Sequence, residues 1–278
     1  MRFAIDVAPL GDLSDPLAIV ELARTAEAAG WDGLSIWDST GVSMDSSAPD
    51  PFVAMATVAA ATERLRLILS VIALPRRRAH LVAQSVGTLD RLSGGRLVFG
   101  VGAGGDPGDF TAFGEGALLP ERVARMDAAL RRIDPWLRGE PARAEGVGAL
   151  DVTLGPRPVQ APRPPIWLGG MRPGALRRAA GWDGWIAIAV SDDGSSMVMG
   201  PERLAEMVAT IQAERVALGR ADGPFDVAVF GLAGRGSGAV TGAFADAGAT
   251  WWLESLSPMR GSIDALTSIV EAGPPRPV

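Results

Sequence analysis

Short apolar runs of strand length alternate with longer segments of helical period along the whole 278-residue chain. Strands that alternate with helices in this way are typical of parallel sheets in α/β proteins. Eight runs without an evident reversal of strand order favour a sheet closed into a (β/α)8 TIM barrel over a doubly wound open sheet. The predicted strands are Phe3–Val7, Gly33–Trp37, Leu65–Ile72, Arg96–Val101, Ile166–Leu168, Trp185–Ile188, Asp226–Phe230 and Thr250–Leu253.

One segment rich in Gly and Pro, Gly139–Pro165, interrupts this rhythm. Because both flanks continue the βα pattern, we expect a short excursion between the fourth helix and the fifth strand, within a single domain of residues 1–278. Two loops rich in Ser, Gly and Asp, Gly41–Asp50 and Ser191–Gly200, follow the second and sixth strands. Barrel enzymes build their active sites on such strand-end loops, so both loops are candidate lids.

Composition narrows the classes of partner and of chemistry. A formal net charge of −6 disfavours nucleic acid and anionic membranes, which leaves a small molecule as the expected partner. The chain has no Cys and one His, which excludes disulfides, thiolate nucleophiles and multi-histidine metal sites. The longest apolar stretch, Leu67–Leu74, has only the length of a strand, and Asp6 interrupts the apolar N-terminal run. We therefore expect no signal peptide, no membrane span and a cytoplasmic protein.

A glycine run follows the fourth predicted strand. Gly100, Gly102 and Gly105 satisfy the G-x-G-x-x-G pattern of dinucleotide-binding folds. That fold requires the glycine turn to open directly into a helix, yet the next helical stripe begins only after Pro120. Arg122 stands near the position where that fold needs an acid for the ribose. The context therefore disfavours a dinucleotide fold and leaves a turn that brings bare backbone close to a ligand.

A second glycine turn ends the fifth predicted strand, at Gly169 and Gly170, with Leu168 and Met171 beside it. Any single glycine is sufficiently explained by a tight turn. Two glycine-bearing strand ends on one face of a barrel can share one phosphate through their backbone amides. Taken alone, the pair would also permit a barrel isomerase or lyase that acts on a phosphorylated metabolite.

The segment Leu89–Gly104, which reads LDRLSGGRLVFGVGAG, resembles the hallmark segment of the bacterial luciferase-like family of flavin- and deazaflavin-dependent oxidoreductases. Other segments resemble the same family in order along nearly the whole chain. They are Ala26–Asp38, Pro75–Arg78, Phe113–Glu115, Trp136–Glu140, Pro156–Gly170 and Ala179–Trp185.

The resemblance implies a barrel monooxygenase or related oxidoreductase that binds reduced FMN or the deazaflavin coenzyme F-420 (F420) at the carboxyl ends of the strands. It implies a non-prolyl cis peptide at Ser70–Val71 that supports the back of the cofactor ring, and a phosphate near the second glycine turn. It further implies a small organic substrate and, as a partner, a separate flavin or deazaflavin reductase; a homodimer is one expected assembly. The residues expected around the cofactor are Ser70, Val71, Gly102, Ala103, Gly104, Leu168, Gly169, Gly170 and Met171.

The chain departs from the family pattern at two strand ends. Many members read Asp-His after the second strand, whereas this chain has Asp38-Ser39, and Gly105-Asp106 stands where some members have an acid directly after the glycines. Asp38 is the candidate catalytic residue, which could face the cofactor or relay a proton, with capping of the next turn as its alternative. These departures leave open a non-catalytic flavin-binding or sensing barrel.

Aromatic and basic side chains complete the set of candidates. Trp37, Phe110, Trp185 and Trp251 are expected to line a dry substrate pocket, with core packing as the alternative. Lid methionines would suit a pliable apolar substrate; they are Met44, Met197 and Met199.

Three consecutive arginines follow the third strand. Arg76, Arg77 and Arg78 are interpreted as a solvated basic cluster, with contact to a phosphate or an acidic substrate as the alternative. His80, the only imidazole, is expected on the surface or at the cap of the third helix. Asp106 and Glu254 are further strand-end acids whose role stays open between chemistry and turn capping.

Overall fold

The structure is a computed structural model that describes residues 1–116, 118–143, 150–188, 191, 196, 198–233 and 236–276. Within these ranges the chain alternates strands and helices, with short 3₁₀ turns at several strand ends. The strands are β1 Arg2–Val7, β2 Gly33–Ile36, β3 Arg66–Ala73, β4 Leu97–Gly102, β5 Ala142–Arg143, β6 Asp151–Val152, β7 Ile166–Gly169, β8 Gly184–Ile188, β9 Asp226–Gly231 and β10 Trp251–Leu256.

The helices follow the strands in regular alternation. Within the described ranges, no helix combines the length and the apolar character that a membrane crossing requires. The helices are α1 Pro16–Ala28, α2 Pro51–Ala61, α3 Ala79–Leu92, α4 Gly108–Thr111, α5 Leu119–Arg138, α6 Pro173–Ala179, α7 Pro201–Ala217, α8 Gly238–Asp246 and α9 Ile263–Glu271.

Acid caps and prolines explain where two of the first helices begin. The carboxylate of Asp15 accepts a hydrogen bond from the backbone N–H of Leu17, and that of Asp50 accepts one from Phe52. A proline follows each cap as the first helical residue, where the missing N–H costs no hydrogen bond.

Eight parallel strands close into a barrel in the order β1, β10, β9, β8, β7, β4, β3, β2. The predicted (β/α)8 barrel is confirmed, and each predicted strand overlaps an observed one. The expected excursion lies between α5 and β7 and contains the antiparallel pair β5–β6, while residues 144–149 lie outside the described residues. The last strand runs to Leu256, beyond its predicted end, because it pairs with β1 as far as Val7.

Alternation along the strands divides the apolar side chains between two cores. Outward-facing residues pack with the helices in the larger core. Inward-facing residues form a smaller core made of strand residues alone; they are Ala4, Ile68, Val98, Trp167, Ile186, Ala228, Phe230, Trp251 and Leu253.

The interior becomes polar toward the carboxyl ends of the first three strands. Asp6, Ser35 and Ser70 are all buried, and Asp6 pairs in register with Ser35. Asp6 and Ala4 lie two residues apart on β1 and therefore face the same side, which is the barrel interior. The polar end of the interior is thus the end where barrel enzymes have their sites.

Candidate active site

A bulge in β3 shapes the mouth of the barrel, as we call the region at the carboxyl ends of the strands. The pairing register between β3 and β4 shifts between Leu69 and Ile72. The Ser70–Val71 peptide bond within this shift is cis, which confirms the predicted cis peptide. The Val71 side chain is partly buried and packs against the inner core, so the bulge turns it toward the barrel interior.

The two glycine turns converge on the side chain of Val71. A Cβ atom on Gly102 would lie 2.6 Å from one Val71 methyl carbon, and one on Gly169 would lie 2.9 Å from the other. Such distances are too short for real Cβ atoms, so both strand ends must be bare for Val71 to fit between them. The two glycines therefore make room for the Val71 side chain. A cofactor in the mouth would contact Val71 rather than the glycines.

A buried cluster supports the glycine run from behind. Gly104 has φ +84°, and a Cβ atom there would lie 2.8 Å from the Phe110 ring. Arg122 donates a hydrogen bond from Nη1 to the Gly104 carbonyl oxygen at 2.8 Å, and its guanidinium lies 4.7 Å from the centroid of that ring. Phe110 is fully buried. Its predicted place in the pocket lining is corrected, because it packs beneath the glycine loop.

Arg76 ties together the ends of three strands. Its guanidinium bonds the Asp109 carboxylate at 2.8 Å, and it lies 2.9 Å from both the Asp38 carboxylate and the Asp38 carbonyl oxygen. Only 10% of the Arg76 side chain is exposed. Asp109 also accepts a short hydrogen bond from the hydroxyl of Thr40. The loops after β2, β3 and β4 are therefore joined through one buried cation.

Arg77 extends this network to the second helix. It donates to both carboxylate oxygens of Asp38, at 2.9 and 3.2 Å, and to Asp50 at 2.9 Å. Arg76 and Arg77 are thus paired, and the interpretation of the three arginines as a solvated cluster is wrong for these two; Arg78 is exposed. Arg76 and Arg77 are not solvated because they form ion pairs with Asp38, the acid at the end of the neighbouring strand.

Asp38 is held at every oxygen rather than free in the mouth. Its carboxylate is 2% exposed and also accepts a hydrogen bond from the backbone N–H of Ala73 at 2.9 Å. Together with the two arginines, this bond satisfies the acceptor positions that a proton relay would need. The geometry supports an anchoring role for Asp38, and its catalytic role stays a prediction that no contact supports.

Asp6 is the functional candidate that the sequence reasoning missed. Its Oδ1 accepts hydrogen bonds from Ser35 at 2.7 Å and from Ser70 at 3.1 Å, and its Oδ2 accepts one from the Trp37 indole at 2.7 Å. Complete burial raises the pKa of Asp6 from 3.8 to about 7, while the three hydrogen bonds act in the lowering direction. An acid at an inward position of an apolar strand was the signal that could have found it.

The hydroxyls around Asp6 can serve either protonation state. Ser35 and Ser70 contact each other closely, and Ser70 lies 3.2 Å from the Ile36 carbonyl oxygen. When Asp6 is neutral, its carboxyl group donates a hydrogen bond to Ser35, Ser35 donates to Ser70, and Ser70 donates to the Ile36 carbonyl oxygen. With Asp6 ionised, both hydroxyls donate to the carboxylate instead. The network therefore links a titrating carboxyl to the residue that begins the cis peptide.

Only one of the predicted pocket tryptophans lies at the mouth. Trp37 is partly exposed and is oriented by its bond to Asp6. Trp185 is fully buried in the outer core, where its indole N–H donates to the Gly170 carbonyl oxygen at 2.8 Å. Its predicted pocket role is corrected, because it faces the helices and supports the second glycine turn from outside.

Trp251 lies at the opposite end of the barrel. It begins β10 and pairs in register with Arg2, whose guanidinium lies 4.3 Å from the Trp251 ring centroid. The ring of Trp167 packs against it, with 6.0 Å between centroids. The predicted pocket role of Trp251 is corrected, because this residue closes the amino-terminal end of the barrel.

The remaining predicted residues divide between support and the mouth. Leu168 is buried in the outer core, so its predicted cofactor contact is corrected for the side chain. The Met171 sulfur accepts a hydrogen bond from the Ile188 N–H at 3.3 Å. Ala103 and Gly170 are partly exposed where their strands end.

The remaining strand-end acids are also held by neighbours. Glu254 is fully buried and pairs with Arg260 at 2.9 Å. Hydrogen bonds with Ser43 and with the backbone of Gly108 hold the pKa of Asp106 below its usual value. His80 is exposed near the start of α3, as predicted.

The two candidate lids are described unequally. The Gly41–Asp50 loop is described throughout and exposes Met44. Of the second loop the structure describes residues 191, 196 and 198–200, so Met197 lies outside the described residues. Met199 is buried. The prediction of lids therefore stays a prediction.

Apolar side chains and one buried hydroxyl group lie near the mouth. Val71 and Ile188 give an apolar wall, and Ile188 is 49% exposed at the end of β8. Ser257, just after β10, is buried, and its hydroxyl has no hydrogen-bond partner among the described residues. Nor do three His, Asp or Glu side chains of the described chain come together as metal ligands. An apolar wall with bare backbone and an unpaired hydroxyl suits an aromatic cofactor.

Comparisons with known proteins identify the family of this chain. The family model of luciferase-like monooxygenases matches residues 4–233. An uncharacterized protein of Mycobacterium tuberculosis is 30% identical in an alignment of 256 residues that covers 84% of this chain and 82% of that protein.

Solved structures share the fold at lower identity. The coenzyme F420-dependent tetrahydromethanopterin reductase of Methanopyrus kandleri superposes with TM-score 0.77 at 17% identity, covering 98% of each chain. The oxygenating constituent of 3,6-diketocamphane monooxygenase from Pseudomonas putida, solved with FMN, gives TM-score 0.64 at 17% identity over 84% of this chain and 67% of its own. These likenesses show a shared fold, and the extent of the family match shows more: the chain belongs to the luciferase-like monooxygenase family.

Proposed function

We propose that this protein is an oxidoreductase that binds reduced FMN or F420 in the mouth of its barrel and acts on a small organic molecule. The observation that carries the proposal is the Val71 bulge, held between the bare backbones of Gly102 and Gly169. Similarity to an F420-dependent reductase and to an FMN-containing monooxygenase supports both cofactors equally. For FMN, a separate reductase would supply the reduced form.

The residues of the mouth would position the cofactor and keep water from it. When bound and reduced, either cofactor supplies the electrons of the reaction. Val71 would support the ring from behind, and Ile188 would cover it from the β8 side. Trp37, fixed by Asp6, would close the side of the first two strands. Asp6 can hold a proton at Oδ1 near neutral pH, two hydrogen bonds away from the backbone that carries the bulge.

Four binding measurements test the proposal, with FMN and F420 each in oxidised and reduced form. We expect saturable binding of at least one reduced cofactor, and faster turnover of that cofactor by the protein with oxygen or candidate substrates than in free solution. Binding without any acceleration would favour the non-catalytic flavin-binding barrel. Binding of none of the four cofactor forms would reject the proposal, and phosphate esters bound at the glycine turns of the mouth would then favour the isomerase or lyase.

Gly102→Ala tests the cradle directly. The new methyl group would collide with Val71 and displace it into the mouth, so we expect cofactor affinity to fall by about tenfold or more. Gly105→Ala is the matched control, because a Cβ atom there meets nothing within 4 Å. Isothermal titration of both variants measures the difference. Equal affinities in the two variants would contradict the assigned cradle.

A further inference from the structure

A second concave surface lies outside the barrel, between the start of α3 and the middle of α5. It is a cleft of about 450 Å³ with an apolar floor that includes Leu74, Pro75 and Trp136. We call it the basic cleft, because its polar lining residues are all basic: Arg77, Arg78, His80, Arg125 and Arg132. Its volume lies within the range of small-molecule sites, roughly 300–1,000 Å³.

Three arginine side chains of the basic cleft have no partner in the part of the chain that the structure describes. The side chains of Arg78, Arg125 and Arg132 make no hydrogen bond or ion pair with any described residue, and Nε of Arg132 is buried without an acceptor. Some exposed arginine side chains elsewhere in the described chain have no partner either; they are Arg131, Arg172, Arg177 and Arg203. The feature that distinguishes the basic cleft is three such arginines around one concavity that no described acid lines. Arg77, at the edge of the cleft, has its own partners in Asp38 and Asp50.

A neighbouring cleft shows the contrast. It measures about 510 Å³, is lined by Asp127 and by Arg178 among others, and there the two form an ion pair at 2.7 Å. In that cleft an acid of the chain neutralises part of the positive charge. No acid lines the described part of the basic cleft, so its positive potential is available to an external anion.

The first turn of α3 adds hydrogen-bond donors to this charge. Its N-cap residue, Arg78, gives no side-chain cap, and the first hydrogen bond within the helix runs from the Val82 N–H to the Arg78 carbonyl. The N–H groups of Ala79, His80 and Leu81 have no acceptor among the described backbone and side chains. In a helix of 14 residues these groups lie at the positive end of the dipole.

We propose that the basic cleft binds the phosphate group of a phosphorylated small molecule. Guanidinium groups on two sides of the cleft can bind the oxygens of a dianionic phosphate. The N–H groups at the start of α3 can donate further hydrogen bonds to it, and the apolar floor can pack against the organic part of the molecule. The site lies outside the barrel and does not depend on the cofactor proposed for the mouth. It is therefore a second site, next to the Arg77 that holds Asp38.

Inorganic phosphate and a phosphate monoester, phenyl phosphate, are the probes. The only histidine of the chain lines the cleft, so its imidazole proton resonances report occupancy without any mutation. We expect both probes to shift these resonances saturably, and phenyl phosphate to bind more tightly because its ring reaches the floor. Resonances that do not move with either probe would reject the site.

The double variant Arg78→Gln/Arg125→Gln gives a second readout. Both side chains are exposed, so folding should be kept, and we expect phosphate affinity to fall by about tenfold or more. Arg24→Gln/Arg203→Gln removes the same charge from exposed positions on α1 and α7 and should bind as the parent does. Equal loss in both double variants would mean a general charge effect and overturn the proposal.

FMN also carries a phosphate, so the mouth and the cleft must be separated. Riboflavin and FMN are therefore titrated into the parent and into Arg78→Gln/Arg125→Gln. We expect flavin affinity to be unchanged by the double variant while phosphate affinity is lost. Loss of FMN binding in this variant, with riboflavin unaffected, would assign the cleft to the cofactor phosphate and overturn its independence.

Discussion

Replacing Arg76 with methionine is expected to lower the free energy of unfolding by about 3–5 kcal/mol, which is the cost of leaving a buried charge without its partner. The substitution keeps most of the side-chain volume. It removes the ion pairs with Asp38 and Asp109 while both carboxylates remain in the protein. Arg78→Met is the matched control, since Arg78 is exposed and makes no ion pair with a described residue, and its effect should be within about 0.5 kcal/mol. Urea unfolding of the three proteins measures both values.

The same substitution should reach the mouth. Without Arg76 the loops after β2, β3 and β4 lose their common contact, so we expect cofactor affinity to fall with stability. Asp38 keeps its pair with Arg77, whereas Asp109 is left without a cation. In Arg76→Met/Asp109→Asn that acid becomes neutral, and part of the lost stability should return. An effect of less than about 1 kcal/mol in the single variant would show that water replaces the guanidinium, and the buried ion-pair network would then be wrong.

Asp6→Asn is expected to change how stability depends on pH. Because the folded-state pKa of Asp6 is raised from 3.8 to about 7, the folded protein binds one more proton than the unfolded chain between these values. The wild-type protein therefore loses stability from this residue as pH rises from 3.8 to about 7, and the loss stays constant above that range. The full loss of stability is about 4 kcal/mol, because each pKa unit between the folded and unfolded values corresponds to about 1.4 kcal/mol.

Asparagine at position 6 imitates the neutral acid. Its amide oxygen can accept the Trp37 indole bond and its amide N–H can donate to Ser35, so the variant should fold at every pH tested. The unfolding free energy of Asp6→Asn relative to wild type should rise by about 2–3 kcal/mol between about pH 5 and about pH 8. The exposed Asp12→Asn variant should follow the wild-type pH dependence. Parallel curves for Asp6→Asn and wild type would show that Asp6 ionises normally.

The barrel could be predicted from sequence because each strand and helix carries its own periodicity. The glycine turns were also visible, since glycine at two successive strand ends limits what can lie there. What these glycines contact was not visible, because Val71 approaches Gly102 and Gly169 only after the β3 bulge reverses its direction. Such an approach depends on three strands that are distant in the sequence.

Side-chain direction explains most of the corrected residues. Trp185 follows an inward glycine on β8 and so faces the helices, while Trp251 is inward but lies at the start of its strand. Position within a strand and alternation together would have separated these two from Trp37. Pairing was harder to predict: Asp38 meets Arg76 and Arg77 across adjacent strand ends, which requires the register of the closed barrel.

A crystal structure with the tighter-binding cofactor tests the central claim most directly. We predict that the ring of FMN or F420 lies in the mouth, in van der Waals contact with Val71, with its edge toward Trp37 and with the glycine backbone at Gly104 or Gly170 beside it. Cofactor density confined to the basic cleft or to any other surface, with Val71 exposed to solvent, would contradict the assignment of the mouth as the active site.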